Sequence, residues 1–127
     1  MEYLLVIHAR LNNLNDYISA EVASRYKGAA MKARNEALVK VAIKQQMRSI
    51  RIERPVYMEY TWYERNKRRV LDNISSFGRK VIQDALVQTR VLVNDGWNEI
   101  VGFSDQFYVD AANPRIEVLI REVGDDG

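Results

Sequence analysis

Between Val56 and Tyr63 the chain alternates: Val56, Met58, Tyr60 and Trp62 on one side, Tyr57, Glu59, Thr61 and Tyr63 on the other. Alternation with period two, in β-branched and aromatic residues, predicts a strand with one buried face. A second such run closes the chain, where Ile116, Val118 and Ile120 alternate with Glu117, Leu119 and Arg121, predicting a strand over 115–122. Residues 3–9 and 98–107 also read as strands, and 10–15 as a loop rich in turn formers. From about 17 to 49 the period changes. Ile18, Val22, Tyr26, Ala30, Ala33, Ala37 and Val41 recur at helical spacing, with Asn15 or Asp16 as the expected cap and a bend expected near Gly28. A second helix is predicted from Leu71 or Asp72 to about Val87, with Ile74, Val81, Ile82, Ala85 and Leu86 on its buried side. Val91–Val93 is a short apolar piece leading into the turn Asn94-Asp95-Gly96.

The resulting order is β-α-β-α-(β)-β-β, an α/β (α+β) domain. A mixed sheet with two main helices packed on it, on one face, is expected. A length of 127 residues suits one domain, here residues 1–123, with 124–127 expected to be a disordered tail. Apolar residues at 47% and charged residues at 28% are the profile of an ordinary globular chain. There is no cysteine, which excludes a disulfide framework, a thiol nucleophile and thiolate metal ligation. Met1–Ile7 is apolar but short, without a basic leader, and no stretch approaches the roughly 20 apolar residues of a membrane span. A cytoplasmic protein with no membrane partner is expected. No glycine-rich phosphate loop, nucleophile elbow or zinc spacing occurs, so no nucleotide cofactor is expected.

Net charge is only +2, so the distribution of charge says more than its sum. Cations crowd Arg65-Asn66-Lys67-Arg68-Arg69, just before the second helix, which begins with Asp72. Lys80 follows on the same helix and Asp95 lies in the turn after it. Mg²⁺ prefers hard oxygen ligands, commonly one or two carboxylates with waters and substrate phosphate. Asp72 and Asp95 are therefore candidate ligands, Lys80 a candidate for steadying developing negative charge, and the basic run a candidate phosphate grip. Each residue has a plainer reading: Asp72 as a helix cap, Asp95 as a turn former, Lys80 as a solvated lysine. His8, the one histidine, reads as structural within a strand. The strand aromatics read as core and sheet face, and the row Lys40, Lys44, Arg48 as a solvated helix face.

The segments Arg68-Arg69-Val70-Leu71-Asp72-Asn73, Lys80-Val81-Ile82-Gln83-Asp84-Ala85-Leu86 and Val93-Asn94-Asp95 resemble the signature of the RusA family of Holliday junction resolvases, in its phage and Gram-positive-like branch. Leu14-Asn15-Asp16-Tyr17-Ile18, Thr61-Trp62-Tyr63-Glu64 and Asn113-Pro114-Arg115-Ile116-Glu117-Val118 are similar to that branch as well. The resemblance implies a homodimeric, Mg²⁺-dependent (or Mn²⁺-dependent) endonuclease that resolves four-way DNA by paired incisions in recombination and repair. It implies metal ligation by Asp72 and Asp95 and catalytic assistance from Lys80. On this reading Arg65, Lys67, Arg68 and Arg69 would grip backbone phosphates, with Asn15 and Lys40 as weaker DNA-binding candidates. The family pattern departs at Val70, where an aspartate is expected. A valine ligates no metal and would crowd the site: either two carboxylates hold Mg²⁺ through waters with reduced activity, or a neighbour such as Glu64 or Glu99 substitutes, or the protein binds junctions without cutting them. A degenerate prophage copy would carry such a loss.

Overall fold

The computed structural model describes residues 1–124. The expected tail residues 125–127 lie outside the described residues, and only Gly124 of that tail is within them. The elements run β1 (Glu2–Ile7), α1 (Leu14–Ala23), α2 (Arg25–Gln46), β2 (Val56–Glu64), α3 (Leu71–Gln88), β3 (Ile100–Val109) and β4 (Arg115–Glu122). The strands form one four-stranded mixed sheet in the order β1-β4-β2-β3. β4 is antiparallel to both β1 and β2, whereas β3 is parallel to β2, to which α3 connects it.

The period-two pattern places the core as expected. Val56, Met58, Tyr60 and Trp62 of β2 are buried beside Ile116, Val118 and Ile120 of β4 and Leu5 and Ile7 of β1. The apolar stripe of α3 (Ile74, Phe77, Val81, Ile82, Ala85, Leu86) and Val39, Ile43 and Met47 at the end of α2 complete that core. α3 lies directly on Trp62: a Cβ placed at Gly78 would stand 2.6 Å from its ring, so the helix can sit this close only because residue 78 has none.

The helical half departs from expectation. The helical stretch expected over 17–49, with a bend or break near Gly28, is two helices, making three in all among the described residues, and the break falls at Ser24 rather than Gly28. Ser24 is extended (φ −171°, ψ 147°) and serves both ends: its N–H donates to the Ala20 carbonyl at 3.0 Å, while its Oγ accepts from the Lys27 N–H at 3.1 Å. A serine can cap both helices in this way, which the alanine-rich spacing concealed. Gly28 instead lets α1 and α2 approach, since a Cβ there would meet the Glu21 side chain at 2.5 Å. The cap of α1 is Asn13, not Asn15 or Asp16. Its Oδ1 accepts from the Asp16 N–H at 2.8 Å, and Asp16 returns the bond to the Asn13 N–H at 3.1 Å. Val91–Val93 forms no strand; Leu92 makes one isolated bridge to Ile52. The strands begin and end within two residues of expectation, β3 being shifted by two at both ends, to 100–109.

Candidate nucleic-acid interface

β2 delivers the chain to the basic run 65–69, and α3 leaves it at once. Val70 occupies the N-cap position without any side-chain cap bond. Asp72 therefore does not cap by hydrogen bonding. It lies in the first turn, exposed, where its charge suits the helix dipole. Val70 does not crowd a carboxylate site. It is 63% exposed and borders a groove with Leu71, Ile74, Phe107, Tyr108 and Val109.

The basic run divides into two kinds of residue. Arg65, Lys67 and Arg68 are exposed and make no ion pair among the described residues. Arg69 is engaged: Nε and Nη2 donate to both oxygens of Glu64 at 2.9 and 2.8 Å, and Nη1 donates to the Leu11 carbonyl at 2.9 Å. This bidentate pair is largely buried and ties the loop after β1 to the end of β2. Arg69 is thus held in a structural pair, and Glu64 is engaged in it rather than free to stand in for the carboxylate that the resemblance expects at position 70. The same crowding involves Arg10, which the sequence reading missed. Its pKa is lowered, first by desolvation and then by the nearby charges of Arg69 and Arg65. Nothing in the sequence marks Arg10, because only the fold brings it beside residues 65–69.

Asn15 is exposed in the first turn of α1. The asparagines that organise this loop are its neighbours. Buried Asn35 accepts from the Asn12 N–H at 2.8 Å and donates to the Asn12 side chain at 2.9 Å. Lys40 belongs elsewhere, in a groove with Lys44, Arg48 and Arg51 beside Gln88 and Thr89, at the C-terminal end of α3. It does not join the basic loop, which lies at the N-terminal end.

Lys80 and Asp95 are brought together, with Nζ to Oδ2 at 3.4 Å, but they enclose no vacant ligand position. Lys80 also bonds Asp84 at 3.1 Å, and Asp84 bonds Lys32 at 2.8 Å. The Asp84 hydrogen bond, followed by the charges of Asp84 and Asp95, raises the Lys80 pKa against desolvation. Burial works to raise that of Asp84, yet the bonds from Lys32 and Lys80 outweigh it and hold the carboxylate below its ordinary value.

Asp72 is not part of this group. It precedes Lys80 by two turns, about 12 Å along the helix axis, and Lys80 reaches away from it toward Asp84. Glu99 sits with Asp95, where its carboxylate accepts the Gly96 N–H at 3.1 Å, so it cannot support Asp72 either. Among the described residues no three His, Cys, Asp or Glu side chains converge to hold a metal ion. The residues of one chain therefore do not fit the expected Mg²⁺: its two proposed ligands lie apart, and one already faces an ammonium.

His8 lies just past the end of β1 and is exposed, not inside a strand. On the outer sheet face Tyr57 and Tyr63 lie under guanidinium groups, Arg121 at 5.7 Å and Arg115 at 3.7 Å from the ring centroids, and offer no bare stacking platform. No helix among the described residues is long and apolar enough to cross a membrane. No protein-family model matches the chain, and no curated protein matches it.

Proposed function

We propose that this chain is a RusA-type protein that binds four-way DNA junctions through the cationic pole formed by Arg10, Arg65, Lys67 and Arg68. The observation that carries this reading is the contrast within one loop. Arg69 is neutralised by Glu64, while Arg65, Lys67 and Arg68 remain exposed beside it without a carboxylate partner among the described residues. Crowded like charges cost folding free energy, and a polyanion relieves that cost by neutralising them. The motif resemblance supplies the branched-DNA substrate.

Binding to a synthetic four-way junction, compared with linear duplex at several salt concentrations, tests the reading. Junction preference is expected, with affinity falling steeply as salt rises. Equal, salt-insensitive affinity for both would end it.

Mg²⁺-dependent cutting is the second reading. It is favoured by Asp72, Lys80 and Asp95 standing in the motif order, and opposed by Val70 and by the separation of Asp72 from Asp95. A nicking assay on the same junction distinguishes cutting from binding alone.

A further inference from the structure

The apolar row whose spacing predicts a helix is not the face that α2 buries. Tyr26, Ala30, Ala33, Ala37 and Val41 lie on one side of it, and all are exposed. The buried side carries Asn35 and Glu36 beside Val39, Ala42 and Ile43. A helix at a protein surface normally turns its polar residues to water. Here Tyr26 is 83% exposed, as is Val22 just before the break at Ser24, and Leu38 and Val41 are about half exposed. Single exposed apolar residues are ordinary, but this row runs about 22 Å along the helix.

The charges beside the row are of one sign. Arg25, Lys27, Arg34 and Lys44 are exposed on α2, and its one acid, Glu36, is buried. Among the described residues none of these four cations makes an ion pair; on α2 only Lys32 does, with Glu36 and Asp84. Lys44 suits the C-terminal end of the helix dipole, but Arg25 and Lys27 stand at the N-terminal end, where the dipole disfavours cations. Helix stability therefore does not account for them. At its C-terminal end the row leads into the groove lined by Lys40, Lys44, Arg48 and Arg51, which contains no carboxylate.

We propose that the exposed row of α2 docks an acidic amphipathic helix of a partner protein. The row supplies the apolar contact, and its alanines let the axis of a second helix approach closely. Acidic residues flanking the partner's own apolar row meet Arg25, Lys27 and Arg34 along α2, and the cationic groove at its end. The surface suits other occupants less well. Nucleic-acid interfaces are polar, so a phosphate backbone would leave Tyr26, Ala33 and Val41 without an apolar partner. A second copy of α2 would set cations against cations. The inference does not rest on the junction reading.

A synthetic helical peptide with a leucine row flanked by glutamates is the probe, titrated against the full-length chain by fluorescence anisotropy. It is expected to bind at least about tenfold tighter than the same peptide with lysines for glutamates, and than a scrambled peptide that keeps the charge but loses the row. Ala33→Gln, which lengthens one side chain in the row and changes no charge, should weaken binding at least about tenfold with an unchanged circular dichroism spectrum. Lys27→Glu combined with Arg34→Glu should turn the preference toward the lysine peptide. No binding of the glutamate peptide, equal affinity for the scrambled one, or wild-type affinity in Ala33→Gln would overturn the proposal. So would a role for the row with another occupant: a sedimentation coefficient lowered by Ala33→Gln would assign it to a second copy, and weakened binding of duplex DNA or of phosphatidylserine vesicles would assign it to nucleic acid or lipid.

Discussion

The Lys80 ammonium lies 3.4 Å from the Asp95 carboxylate and 3.1 Å from that of Asp84, so a lysine expected to face a metal faces two carboxylates instead. Asp84, bonded also by Lys32, is the more enclosed centre of this chain of charges.

The network makes stability depend on pH at both extremes. Asp84 is held below its ordinary pKa, so it binds a proton less readily folded than unfolded. Its contribution is present above about pH 4 and is lost as the pH falls through its lowered value. Lys80 is shifted upward, so its contribution is present below about pH 10 and is lost as the pH rises through its raised value. Asp84→Asn should cost about 1–2 kcal/mol at neutral pH. Lys80→Ala, at a well-exposed position, should cost at most about 1 kcal/mol. Urea unfolding midpoints across pH check both, and an Asp84→Asn protein with the wild-type acid profile would refute the assignment.

Arg68 and Arg69 are neighbours with opposite expected phenotypes. Arg68→Ala should weaken junction binding at every sequence tested and flatten the salt dependence by about one phosphate contact, with thermal stability unchanged. Arg69→Ala should lower stability by about 1–3 kcal/mol, because it leaves Glu64 and the Leu11 carbonyl without their donor. Thermal melts beside anisotropy titrations separate the two; swapped phenotypes would overturn the division of the loop.

Gly78→Ala places a methyl group 2.6 Å from the Trp62 ring. The overpacking should cost about 1–3 kcal/mol despite the better helix propensity of alanine. Calorimetry detects this as a lowered melting temperature. A stabilised variant would mean that α3 can lift from β2 freely.

Val70→Asp places a carboxylate two residues before Asp72. At an exposed N-cap with no side-chain bond, aspartate should raise stability by about 1 kcal/mol relative to valine. If the cutting reading holds, the variant nicks four-way junctions in Mg²⁺ or Mn²⁺ faster than wild type. If the variant folds and binds junctions but never nicks them, the binding reading stands alone.

What could be read from the chain was whatever depends on spacing. The strands over 56–64 and 115–122 and the stripe of α3 follow from periods of two and 3.6, because burial of one face demands them. Spacing could not show that Ser24 ends one helix and starts the next, since its double capping depends on backbone angles invisible in the alanine pattern. Nor could it distinguish Arg68 from Arg69, adjacent and alike in sequence, because Glu64 and the Leu11 carbonyl reach one of them only where the fold brings the loop after β1 to the end of β2. The separation of Asp72 from Asp95 is likewise tertiary: the motif records their order, but the rise of α3 and the return of the chain into β3 determine how far apart they lie. Local periodicity sets which face of an element is buried, whereas the partners of a charge depend on long-range contacts that no short pattern encodes.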